Sequence, residues 1–217
     1  MRLLTTVIFC CFVQLGYGQG VLTLEGDSTD TALIKRKQKL EAKGFLVKIK
    51  PKSGQKNSLV AMVDPVFLKR HRGKQLPDFQ LTDINGNTVS SKNLLGKYVH
   101  INFWSVTCAP CIAEFPELNE LKEKFQDKDW VFLAFAPEDQ QKVQTILSKH
   151  PLNYTVIPGA KQYYDLLGID GYPKNFFVDK TGTITQITNG TIFKKTLTGK
   201  MVPDNYRFYK QIMDDLK

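Results

Sequence analysis

The chain has 217 residues, 42% of them hydrophobic and 24% charged, with 15 glycines and 10 prolines. That mix excludes a disordered, collagen-like or purely coiled-coil protein and suits one medium domain with an extension. Lys and Arg number 30 against 21 Asp and Glu, a net charge of +9 that raises nucleic acid or an anionic surface as partners.

In chain order, the first predicted element is an export signal. Arg2 is followed by no charged residue until Glu25, and Leu3 to Leu15 is mostly apolar. Gly16-Tyr17-Gly18 then puts small residues at both recognition positions of a cut before Gln19. A basic start, a short apolar run and such a site predict a secretory signal over residues 1–18. An uncleaved anchor is the rival, although Gln14, Gly16, Gly18, Gln19 and Gly20 thin the run. Such an anchor would tie the chain to a membrane. Lipidation at Cys10 or Cys11 is disfavoured by bulky Phe9. No other segment is apolar enough to span. Cleavage would leave Cys108 and Cys111 as the mature chain's cysteines. A bridge across so short a loop adds little stability, so stapling is a poor reason to keep it.

Residues 19–72 read as a basic extension. Thirteen Lys and Arg fall between Lys35 and Lys74, opposed by Glu41 and Asp64 alone, so the chain's positive excess sits there. Thr29 to Lys43 suits a helix closed by Gly44. Alternation from Phe45 to Lys50 suits a strand, with Leu59 to Val63 as its return. Only Phe45 and Phe67 accompany the basic residues, too few for a base-stacking surface, so no nucleic acid is expected. A solvated basic face is the plain reading, and docking to an acidic partner or anionic lipid the other.

From Gly73 to Lys217 strands and helices alternate. Phe79 and Leu81 lead into the turn Asp83–Asn87. Val99, Ile101 and Phe103 start a strand ending near Trp104, and Trp130 to Ala136 is a continuous apolar run typical of a central strand. Helices are predicted over Gln140–Ser148, over Tyr163–Leu167 and at the end, where Tyr206, Tyr209, Met213 and Leu216 form a stripe. Asn175–Asp179 and Thr183–Thr188 are two strands around Lys180-Thr181-Gly182. The pattern predicts an α/β domain over 73–217, with a mixed central sheet and helices on both faces.

Cys108-Ala109-Pro110-Cys111 follows a strand and opens a helix. Free N–H groups and the dipole there favour an anion, so the Cys108 thiolate is promoted, and the thiolate is the form that attacks a disulfide. Cys111 comes one turn later, placed to resolve a mixed disulfide. Pro110 sits where its missing N–H costs nothing. Structural zinc would need His71, His100 or His150, none at ligand spacing from the pair, and covalent haem would need a His where Ile112 stands. No cofactor or metal is expected.

The segment Asn102 to Pro116 (NFWSVTCAPCIAEFP) resembles the active-site segment of the thioredoxin-like family, and most of all its exported TlpA/ResA-like branch, related to the AhpC/TSA proteins. The similarity runs from about Gly73 to the end, with Leu76-Pro77-Asp78-Phe79, Leu95-Gly96-Lys97 and Gly171-Tyr172-Pro173-Lys174-Asn175 as further matching pieces. The resemblance implies a thioredoxin-like fold, Cys108 as nucleophile, Cys111 as resolving thiol and Pro173 as a cis proline beside which substrate backbone binds. Cytosolic thioredoxin behaviour is not implied, because Asn102 replaces its buried Asp and Thr107 stands directly before Cys108. The branch carries a Glu three residues after the second Cys, here Glu114, which implies a partly buried carboxylate that moves the Cys111 proton. An ordinary exposed Glu is the rival. Pro116 is expected to bend this helix or to close its first turns. Trp104 and Tyr172 are candidates for a substrate groove, with core packing as their rival and as the preferred reading of Phe103.

The expected function is an extracytoplasmic, most simply periplasmic, thiol–disulfide oxidoreductase acting on protein disulfides as a reductant. An upstream redox protein would supply its electrons, since no nucleotide motif is present. A thiol peroxidase is a second reading. Ser105-Val106-Thr107-Cys108 fits the tail of its motif, but Ile101 replaces the motif's Pro. A thioredoxin-fold binding module without catalysis is a third.

Overall fold

A computed structural model describes residues 21–25, 31–41, 46–50, 65–126 and 129–216. The expected signal segment and the strand expected at Leu59–Val63 lie outside the described residues. Strand β1 (Val21–Glu25), helix α1 (Thr31–Glu41) and strand β2 (Leu46–Lys50) come first. The two strands pair in parallel, Val21 with Leu46 and Glu25 with Lys50. The sequence pattern predicts α1 and β2 but not β1, whose Val21-Leu22-Thr23-Leu24 is separated from the apolar run Leu3–Leu15 by Gly16-Tyr17-Gly18-Gln19-Gly20.

Helix α2 (Pro65–His71) begins at a proline, which suits a first helical position. The boundary expected at 72/73 falls just after it, yet Phe67 and Leu68 are buried in the same core as Val99, Phe103 and Phe176. In packing terms the folded body therefore reaches back to α2. A hairpin follows, β3 (Gln80–Thr82) against β4 (Thr88–Ser90). Asp83 fixes its turn, accepting from the backbone N–H groups of Asn85 (2.9 Å) and Asn87 (2.8 Å).

The central sheet is built from β5 (Tyr98–Phe103), β6 (Trp130–Phe135), β7 (Thr155–Ile157), β8 (Lys174–Val178) and β9 (Ile184–Asn189), in spatial order β7-β6-β5-β8-β9. The β7–β6–β5 pairs are parallel and the β5–β8–β9 pairs antiparallel, as a mixed sheet requires. Between these strands lie α3 (Ala109–Phe125), α4 (Gln140–Leu147) and α5 (Lys161–Leu167). The small hairpin β10 (Phe193–Lys195) and β11 (Met201–Pro203) precedes α6 (Tyr206–Asp215).

Alternation along β5 splits the core in two. Val99, Ile101 and Phe103 face a layer with Phe79, Tyr163, Tyr164 and α2. The opposite layer holds Phe115, Leu118 and Leu121 of α3 with Tyr209, Ile212 and Met213 of α6. On that second face β5 presents His100 and Asn102, both buried with no accessible surface. No helix among the described residues is long and apolar enough to cross a membrane.

Candidate active site

Cys108 is the N-cap of α3, and its sulfur accepts from the Cys111 backbone N–H at 3.3 Å. Pro110 occupies the first turn. The two cysteines are joined by a disulfide, with Cα atoms 5.3 Å apart. Cys108 is half-buried and Cys111 fully buried, so an incoming group meets Cys108 first. The turn before it is tied down. The Cys108 N–H donates to the Ser105 carbonyl (3.0 Å), and the Ser105 hydroxyl donates to Glu138 Oε1 (2.6 Å). Glu138 follows β6 and was not singled out from the sequence, where one Glu in a loop carries no signal.

The register Phe103↔Lys174 sets the end of β5 beside the start of β8. The loops bearing Cys108 and Pro173 thus leave the sheet at one edge, although 65 residues separate them in sequence. The Tyr172–Pro173 peptide bond is cis, as expected. The Pro173 carbonyl accepts from Gly190 N–H (2.8 Å), and Lys174 Nζ donates to the Gly171 carbonyl (3.1 Å). Tyr172 is half-buried, its ring 5.6 Å from that of Tyr164.

Trp104 requires a correction. It has no exposed surface and packs edge-on against Phe115, with ring centroids 5.0 Å apart. Alternation explains why: Trp104 continues the His100–Asn102 face of β5 into the layer beneath α3. It is core, as is Phe103, and of the two groove candidates Tyr172 alone keeps surface.

Glu114 lies one turn beyond Cys111 on α3 and is wholly buried. Its Oε1 accepts from Asn102 Nδ2 (2.9 Å). Its Oε2 accepts from the Thr191 hydroxyl (3.2 Å), Asn205 Nδ2 (3.2 Å) and the Tyr209 hydroxyl (3.4 Å). Burial pushes its pKa up to about 8 against these hydrogen bonds, with Glu117 adding like-charge repulsion. Such a group holds or releases a proton near neutral pH, one helical turn beyond Cys111. Pro116 stands inside the unbroken α3, so the helix runs on past it.

Behind Glu114 runs a polar chain that the sequence reading missed. Asn102 Nδ2 also donates to Asn175 Oδ1 (2.9 Å), and Asn175 Nδ2 donates to the Tyr209 hydroxyl (2.9 Å). His100 Nε2 lies 3.1 Å from Asn175 Oδ1, and His100 Nδ1 lies 2.9 Å from the Tyr154 hydroxyl. Burial drives the His100 pKa down to about 3, so the ring is neutral. A signal did exist: two polar residues, His100 and Asn102, sit on one face of a strand otherwise buried and apolar. Among the described residues no cluster of His, Cys, Asp or Glu could hold a metal ion.

The AhpC/TSA family model matches residues 72–187. The thiol-disulfide oxidoreductase ResA of Bacillus anthracis is 32% identical over 133 residues, covering 60% of this chain and 77% of the relative. The thioredoxin-like protein YneN of Bacillus subtilis is 29% identical over 132 residues, covering 59% and 78%. Among solved structures, a putative thiol:disulfide interchange protein DsbE from Chlorobium tepidum superimposes with a TM-score of 0.56 at 26% identity, over 67% of this chain and 98% of that one. A putative thioredoxin from Neisseria meningitidis gives 0.51 at 28% identity, over 64% and 87%.

Proposed function

The chain belongs to the AhpC/TSA family, as a ResA-like thiol–disulfide oxidoreductase of thioredoxin fold, and from that premise we propose that it reduces protein disulfides outside the cytoplasm through Cys108 and Cys111. One observation carries the reading. A half-exposed cysteine caps a helix, is bonded to a buried cysteine one turn on, and has a buried carboxylate one turn beyond that.

In the forward direction the Cys108 thiolate attacks a substrate disulfide sulfur. A mixed disulfide forms and one substrate thiolate leaves. Cys111 then gives up its proton and attacks the Cys108 sulfur. The second substrate thiolate leaves, and the intramolecular disulfide remains. Two electrons pass to the substrate. Glu114 as carboxylate is the acceptor for the Cys111 proton, and Tyr172 and Pro173 border the bound chain. A dithiol protein resets the pair, taking the disulfide onto itself. Export follows from the expected signal over residues 1–18, and the folded domain from 73 onward, with α2 packed on it, carries the chemistry.

The test is reduction of a protein disulfide by the dithiol form, followed by thiol release. Activity that is lost in Cys108→Ser supports the proposal; undiminished activity in that variant overturns it. A peroxidase is disfavoured because the Ser105 hydroxyl is engaged by Glu138 and sits in a turn closed onto Cys108.

A further inference from the structure

The buried polar chain running from Glu114 to Tyr154 is larger than disulfide exchange by two cysteines requires. Polar groups buried in a core are costly unless each is partnered, so a chain running along one buried face of the sheet needs a reason. Its direction supplies one. Asn175 Oδ1 can only accept, and it takes hydrogen bonds from Asn102 Nδ2 (2.9 Å) and His100 Nε2 (3.1 Å). His100 therefore carries its proton on Nε2, which leaves Nδ1 to accept from the Tyr154 hydroxyl (2.9 Å). Asn175 Nδ2 donates to Tyr209, and the Tyr209 hydroxyl donates to Glu114 Oε2. Every donor from Tyr154 through His100, Asn175 and Tyr209 thus points toward the Glu114 carboxylate. A second branch, through the two hydrogens of Asn102 Nδ2, joins Glu114 Oε1 to the same Asn175 oxygen.

We propose that His100 and Asn175 are positioning residues of the exchange reaction, which hold this chain in the single donor direction that favours the ionised form of Glu114. The proposal rests on the reading of Glu114 as the group that takes the Cys111 proton. It assigns that group's tuning to residues on the central strands rather than to the helix that bears it. His100 is suited to the work by its surroundings. Its ring is stacked on Phe177 with centroids 4.5 Å apart, and its two nitrogens have one partner each. A neutral ring held in one tautomer sets the amide orientation of Asn175. Asn175 in turn sets the direction in which the Tyr209 hydroxyl donates. Chains of this kind polarise, each bond strengthening the next.

Other groups also face Glu114. Glu117 on the same helix repels its charge, and Glu117 itself senses Asp204 and Lys194. Tyr209 on α6 and Tyr154 before β7 interact with Glu114 across the core, and Cys111 lies on its own helix. None of the charged groups among these is altered by substitution at His100 or Asn175.

The decisive measurement is the infrared carboxyl band of Glu114, identified by its loss in Glu114→Gln and followed against pH in the oxidised protein, where neither thiol titrates. His100→Phe keeps an aromatic ring on Phe177 and removes the donor. It should move the Glu114 midpoint upward by about half a pH unit or more. Tyr154→Phe frees only the tautomer and should move it in the same direction by less. A midpoint unchanged in His100→Phe, in a protein whose thermal melt stays cooperative, overturns the proposal. If His100→Phe does not fold, Asn175→Thr is read in the same way: an upward shift supports the proposal and an unchanged midpoint overturns it. The pH profile of Cys111 alkylation in the reduced protein tests the other reading separately. If Glu114→Gln leaves that profile unaltered, Glu114 does not serve Cys111, while the carboxyl titration still decides what positions it.

Discussion

At the scale of single residues the two cysteines differ in what surrounds them. Cys108 is half-exposed at a helix tip, where partial positive charge favours its thiolate, and Cys111 is buried. Cys111→Ala should therefore accumulate mixed disulfides through Cys108, and Cys108→Ala should accumulate few. Non-reducing gels after exposure to oxidised protein substrate check this, and equal trapping by the two variants would overturn the assignment of roles. The cysteines, Pro173 and Glu114 were legible because each has a fixed place in a short motif. Thr191, Asn205 and Tyr209 were not, because they reach Glu114 from 77 to 95 residues away. Trp104 was half legible. An aromatic beside a redox motif suits a groove as well as a core, and only the strand's alternation decides which side of the sheet it meets.

Among the elements, α2 shows where a charge pattern misleads. Lys69, Arg70 and Arg72 made its segment look like part of a solvated extension. The helix is amphipathic in effect, since Phe67 and Leu68 turn into the core while Lys69 and Arg70 stay outside. Phe67 also packs near His71, Phe176 and the Lys174 ammonium, which stands 4.8 Å above its ring. Phe67→Ala should cost about 3–5 kcal/mol in a denaturant titration, the range for emptying a well-packed aromatic site. A loss below about 1 kcal/mol would mean that α2 is a loose flap. Strands β7, β10 and β11 escaped the sequence reading for another reason. Each has three residues, too short to display a period.

For the molecule as a whole, two buried groups with opposite displacements shape stability against pH. Glu114 has its pKa raised from 4.5 to about 8, so the folded protein holds a proton that the unfolded chain has lost. Its contribution is intact below about pH 4.5 and disappears as pH rises to 8. His100 has its pKa lowered from 6.5 to about 3, so acid must force a charge into the core. Its contribution is intact above about pH 6.5 and disappears as pH falls toward 3. Between 4.5 and 6.5 the two slopes oppose each other. Thermal melts of the oxidised protein should show a plateau there, falling on both sides. Glu114→Gln should flatten the alkaline side, and His100→Phe should lessen the acid side. A melting profile with neither change would mean that the two groups are not buried in solution.

The distances in sequence to the partners of Glu114 have a consequence for the order of assembly. Three of its four donors come from the chain that follows β9: Thr191 in the loop before the hairpin, Asn205 at the N-cap of α6 and Tyr209 within α6. Long-range contacts form late, because loop closure precedes their reward. A chain emerging amino end first therefore exposes both thiols, and an unrestrained carboxylate beside them, before the parts that restrain them exist. Selective exchange should therefore be acquired only once α6 docks on α3. If the reduced protein is refolded and given brief pulses of alkylating agent, Cys111 should remain as reactive as Cys108 until that docking and then fall silent. Early protection of Cys111, before the carboxy-terminal helix is placed, would show that α3 and the sheet shield it unaided.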